Sequence, residues 1–135
     1  MISISRKFAL IIGNSKYKDD CLSQLQAPRT DVDSLSRVLG DPTIGAFGNI
    51  VKLVDEPLSI VQKEVARFYK HKRRNDLLLF YFSGHGVMDA RGRLYLAVTD
   101  TEHDLLSGTA LPARFVRDEM SDCFSPDSNG ALPLG

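Results

Sequence analysis

A histidine between two glycines, Gly84-His85-Gly86, stands at the end of the apolar run Leu77-Leu78-Leu79-Phe80-Tyr81-Phe82. Imidazole exchanges a proton near neutral pH, so His85 is the residue best suited to general acid/base work. The two glycines let the backbone turn sharply and let another group approach closely. A histidine that merely ends a strand in a turn would look the same at this level. The remaining histidines, His71 and His103, show no metal-ligand spacing with His85, with each other or with the cysteines, so no metal site is expected. Cys21 and Cys123 are too few for a disulfide scaffold.

The elements around His85 follow from periodicity. Leu77–Phe82 reads as a strand covered on both faces, which would present the imidazole at the carboxyl end of a central strand, where open α/β sheets place their sites. Lys7–Ile12 reads as a first buried strand ending at the turn signal Gly13-Asn14. A helix is expected from Thr30 or Asp31, either of which can cap it, with Val32, Leu35, Val38 and Leu39 facing the core and Gly40 ending it. Ile50–Val54 is a second strand. A second helix begins at Ser59 with Gln62 completing a capping box and Val61, Val65 and Phe68 turned inward. Met88–Arg93 is a loop or tight hairpin, Leu94–Val98 a short strand, Thr99–Thr109 a polar loop, and Ala113–Met120 a third helix with Phe115, Val116 and Met120 as its apolar side. Alternating strands and helices imply an α/β fold with a parallel sheet, strand order 2-1-3 and helices on both faces, and place His85 beside the end of strand 1.

Bulk composition narrows the class. The chain has 135 residues, 43% hydrophobic and 25% charged, with a formal net charge of zero, which suits one soluble domain with a real core. Zero net charge gives no strong pull toward nucleic acid or a membrane surface. The one basic run, Lys70-His71-Lys72-Arg73-Arg74, is expected to complement a helix end and solvate a turn. No apolar stretch has the ~20 residues of a membrane span, and the N-terminus lacks the apolar segment of a secretory signal, so a cytoplasmic location is expected. Gly13-Asn14-Ser15-Lys16 lacks the further glycines of a dinucleotide fingerprint, which argues against a nucleotide-binding domain.

Several motifs then converge in order: Ala9-Leu10-Ile11-Ile12-Gly13-Asn14 with Tyr17; Leu25-Gln26-Ala27-Pro28-Arg29-Thr30-Asp31-Val32; Leu79-Phe80-Tyr81-Phe82-Ser83-Gly84-His85-Gly86; Gly92-Arg93-Leu94-Tyr95-Leu96; and Asp100-Thr101. In this the chain resembles the caspase-like cysteine peptidases, especially their prokaryotic and paracaspase-type members, over about residues 7 to 120. The resemblance implies a polypeptide substrate and a cysteine–histidine dyad. His85 matches the catalytic histidine that protonates the leaving amine. Gly86 matches the glycine whose backbone N–H helps hold the oxyanion. Asp31 matches the carboxylate that pairs with a basic side chain in members that cut after arginine or lysine. Read from the residues alone, Asp31 is a helix N-cap or first-turn acid. The resemblance implies no cofactor, and calcium activates some proteins of this kind.

The match stops short of the nucleophile. Proteins of this kind carry it on a fourth parallel strand, and after Met120 no apolar run of β character follows. Asp122-Cys123-Phe124-Ser125 looks like the nucleophile motif, which makes Cys123 the candidate thiol. The alternative is an ordinary thiol at a helix end. Cys21, in the stretch after strand 1, is a weaker candidate. Residues 1–125 are therefore expected to form a caspase-like domain truncated on its C-terminal side, with 126–135 an irregular tail. Strand 77–82 would then be an exposed apolar edge through which the chain self-associates or pairs with a homologue, and the domain would act as a peptidase or as an interaction module without activity.

Overall fold

The computed structural model describes residues 6–124, and the expected tail at 126–135 lies outside the described residues. The order of elements is β1 (Lys7–Gly13), α1 (Ala27–Gly40), β2 (Asn49–Val54), α2 (Leu58–Phe68), β3 (Leu77–Ser83), β4 (Gly86–Met88), β5 (Leu94–Leu96), a 3-10 turn (His103–Leu105), α3 (Leu106–Thr109), β6 (Leu111–Pro112) and α4 (Ala113–Asp122). The chain is α/β, and its main sheet is parallel with order β2-β1-β3, as the alternating pattern implies. Register fixes the site end: Gly13 pairs with Ser83 and with Val54, so all three strands finish level.

One face of the sheet is covered by α1, where Val32, Leu35 and Leu39 pack on Ala9, Ile11, Leu79 and Tyr81. The other carries α2 and α4, whose Val61, Val65, Phe68 and Val116 pack on Leu10, Ile12 and Leu53. A second sheet, order β4-β5-β6, is antiparallel and lies beyond the end of β3. β4 and β5 form the tight hairpin anticipated at 88–93, closed by Asp89, whose carboxylate accepts the N–H groups of Arg91 and Arg93.

Several local expectations are corrected. β1, not β3, is the central strand: Ala9, Leu10, Ile11 and Ile12 are at most 1% exposed, whereas β3 is half-buried and has no partner on its outer edge among the described residues. α1 begins at Ala27, three residues before Thr30, because Pro28 fits the first helical turn and Ser15 Oγ accepts the Arg29 N–H from across the loop. Thr30 and Asp31 therefore cap nothing. Val38 is 47% exposed rather than inward. α2 begins at Leu58 without a Ser59–Gln62 box, and its Leu58 N–H donates instead to Asp100 Oδ1, 42 residues away. α4 runs on to Asp122, with Met120 outward and Cys123 inward, seven residues after Val116.

Candidate active site

The segment after β1 builds the wall on which His85 rests. Asp55, just past β2, adopts a left-handed conformation (φ 55°) that aspartate tolerates better than most residues. Its Oδ1 accepts the N–H groups of Ser15 (2.7 Å) and Lys16 (2.9 Å), and its Oδ2 pairs with Arg29 (2.8 Å). These donors outweigh the cost of partial burial and hold the Asp55 carboxyl below its usual range. Gly13 is required where α1 meets the sheet: a Cβ there would lie 2.5 Å from Val32 Cγ2 and 2.9 Å from the Pro28 carbonyl oxygen.

Tyr17 then links this loop to the histidine. Its hydroxyl donates to the Asn14 carbonyl (2.9 Å) and accepts the His85 backbone N–H (3.0 Å). Burial pushes the phenol above its ordinary value, which keeps the hydroxyl proton in place for that donation. The Tyr17 and His85 rings lie 4.9 Å apart and tilted by 52°. The need for glycine at position 84 is close approach: a Cβ would sit 2.7 Å from the Tyr17 hydroxyl. Neither Gly84 nor Gly86 is left-handed, so the sharp turn expected of them is not what fixes their identity.

His85 itself is half-buried. Its Nε2 lies 2.8 Å from the Ser23 carbonyl oxygen. A carbonyl can only accept, so Nε2 carries the proton and Nδ1 is the basic nitrogen of the neutral ring. The His85 carbonyl accepts the Ala97 N–H (2.9 Å), just beyond the paired strands. Across the planar trans peptide the Gly86 N–H points opposite to that carbonyl, away from β5, and is not spent on the ladder. Asp31, in the second turn of α1, accepts the Ser83 hydroxyl at 3.2 Å, two residues before His85. The structure thus gathers His85, Gly86 and Asp31 at the carboxyl end of the sheet.

It does not gather Cys123 there. Cys123 is 1% exposed in the cluster that includes Phe68, Tyr69 and Val116. Burial raises its thiol pKa, and its nearest charges are Lys72 and Asp76, at the amino end of β3. A seven-residue strand separates that end from the histidine, a length of about 20 Å at ~3.3 Å per residue. Cys21 is exposed, two residues from Ser23, and the negative charge of Asp19 raises its thiol pKa. Among the described residues no group of three or more histidines, cysteines, aspartates and glutamates is placed to hold a metal. The residues that sequence reasoning missed are Asp55, Ser23 and the contact role of Tyr17. Tyr17 had a signal as the lone aromatic of a polar stretch, but Ser23 acts through its backbone and Asp55 through a loop contact, and neither leaves a pattern.

A caspase-domain family model matches the chain over residues 6–124, nearly all of it. The chain belongs to the caspase domain family, whose members are cysteine peptidases acting on polypeptides. No curated protein matches it.

Proposed function

We propose that the chain carries the acid/base, oxyanion and specificity groups of a cysteine endopeptidase that cuts after arginine or lysine. The observation that carries this is the contact of His85 Nε2 with the Ser23 carbonyl oxygen at 2.8 Å: with Nε2–H held there, Nδ1 is the nitrogen left for proton transfer. His85 Nδ1 takes the proton of the thiol, the thiolate so formed attacks the scissile carbonyl, and the oxygen that gains charge is stabilised by the Gly86 N–H. His85 Nδ1–H protonates the leaving amine as the C–N bond breaks, leaving an acyl-thioester. Water, deprotonated by the same nitrogen, then releases the acid and the thiol. Asp31 would pair with the substrate guanidinium or ammonium beside the scissile bond. Cys123 is the sequence candidate for the thiol, but its burial at the far end of β3 weighs against it in this arrangement.

The test is hydrolysis of an arginyl-coumarinamide peptide and its aspartyl counterpart by the full chain. Arginyl cleavage alone is expected, with His85→Ala lowering kcat/KM by about 10³-fold or more. Undiminished cleavage by His85→Ala would overturn the assignment. Cys21→Ala and Cys123→Ala assayed separately assign the thiol, and loss confined to Cys123→Ala would return Cys123 to the mechanism.

A second reading, an interaction module without activity, is favoured by the outer edge of β3, unpaired among the described residues, with Leu77 49% exposed. The occupant of that edge would be a second caspase-domain chain.

A further inference from the structure

Away from His85, a cleft of about 770 Å³ opens between the β4–β5 turn and α4. Its volume is that of a ligand-sized pocket. Three guanidinium groups line it: Arg93 from the hairpin, and Arg114 and Arg117 from consecutive turns of α4. Its apolar surface comes from Leu94, Pro112 and Phe115, and Leu94 is 43% exposed. Arg93 is paired with Asp89 at 2.7 Å, whereas Arg114 and Arg117 are exposed and have no carboxylate partner among the described residues. Asp118 is the acidic residue on the lining.

We propose that this cleft docks an extended, acidic and apolar segment of a polypeptide partner. The chemistry selects that class. Two unpaired guanidiniums one helical turn apart suit two carboxylates, because residues i and i+2 of an extended chain stand about 7 Å apart, close to the spacing of an i,i+3 pair on a helix. The exposed Leu94, beside the half-buried Phe115, needs apolar cover that a bare phosphate or a nucleic-acid backbone does not provide. Asp89 and Asp118 temper the positive field, which disfavours a long polyanion. The cleft runs from the turn of the hairpin to Leu94 and Tyr95, which pair with Met88 and Val87, so its near end lies about 7 Å along β4 from His85 at ~3.3 Å per residue. Its lining includes none of His85, Gly86 and Asp31, so docking there uses different residues from peptide cleavage.

The experiment is fluorescence anisotropy of the full chain with a labelled short peptide of alternating glutamate and leucine, and with its glutamine–leucine counterpart. The glutamate peptide should bind at least about tenfold more tightly than the glutamine peptide. The double variant Arg114→Glu, Arg117→Glu should lose about a hundredfold, while His85→Ala binds as the parent does. If the double variant does not fold, as read by circular dichroism, Arg114→Gln and Arg117→Gln taken singly should each cost about tenfold. Equal binding of the two peptides, or unchanged binding by the folded arginine variants, would overturn the proposal. So would a single-stranded oligonucleotide that binds the cleft more tightly than the glutamate peptide.

Discussion

At the scale of single residues, the Tyr17 hydroxyl joins three pieces of backbone: it donates to Asn14, accepts from His85, and stands where a side chain on Gly84 would be. Removing it leaves a buried carbonyl and an amide proton without partners, which costs about 1–3 kcal/mol. Tyr17→Phe should therefore lower stability by about that amount in urea unfolding, and shift the His85 ring resonances in NMR spectra. The two thiols should behave as opposites. Cys21 should react with a disulfide reagent in the native state and Cys123 only on unfolding, because one is exposed and the other 1% exposed. The Asp19 charge raises the Cys21 pKa, so less thiolate is present at a given pH and the reaction should climb with pH later than for an ordinary thiol. Asp19→Asn removes that charge and should speed Cys21 modification at pH 7.5, measured by mass spectrometry.

Elements are held here by ties that cross long stretches of chain. Asp76, just before β3, accepts N–H groups from Arg6 Nε (2.9 Å) and Nη2 (2.6 Å) and the Arg73 backbone N–H. The Arg6 bond is the main cause, and the Asp76 carboxyl is held down to about 2. A depressed carboxylate stabilises the fold above its unfolded value and loses that contribution as the pH falls from about 4 towards 2. Asp76→Asn should cost about 1–3 kcal/mol at pH 7 and flatten the acid limb of the stability curve below pH 4, followed by circular dichroism across a pH series. Gly13→Ala should destabilise by a similar ~1–3 kcal/mol, since its methyl group meets Val32 and the Pro28 carbonyl in a packed contact between α1 and β1.

The same ties explain what could be read from the chain and what could not. Strands β1 and β3 were legible because apolar runs announce buried or half-buried strands whatever surrounds them. Helix α2 was legible in its inward stripe of Val61, Val65 and Phe68, but not in its cap, because Asp100 reaches the Leu58 N–H from 42 residues further along the chain. The start of α1 was missed for the same reason, with Ser15 serving Arg29 from outside the helix. The position of His85 and Gly86 just past the carboxyl end of β3 was legible in the apolar run that precedes them. The Ser23 carbonyl that settles the tautomer was not, because any residue supplies a carbonyl. The inward turn of Cys123 was within reach, seven residues after Val116, had the period been carried past Met120.

For the molecule as a whole, the unequal exposure of the main sheet is the governing fact. β1 is sealed between β2 and β3 and between the two helical layers, whereas the outer edge of β3 has no partner among the described residues. Such an edge offers unpaired N–H and C=O groups to any other chain. Sedimentation velocity should show mass rising with concentration, and Leu77→Lys, at the most exposed end of β3, should shift the chain toward the monomer. A concentration-independent monomer would remove the edge as an interface.

The tie between Asp100 and Leu58 also bears on the order of events in time. A ribosome extruding this chain delivers all of α2 well before it delivers Asp100, since the two partners are 42 residues apart. Throughout that interval the first turn of α2 lacks its acceptor, and β1 waits for β3, whose Leu77 N–H closes onto the Arg6 carbonyl. Parallel pairing between distant strands closes long loops before it is rewarded, which slows folding. The nascent domain thus holds its apolar strands uncovered until β3 and then α4 have emerged, so the face of the sheet that carries Leu10 and Ile12 is the last to be fully closed.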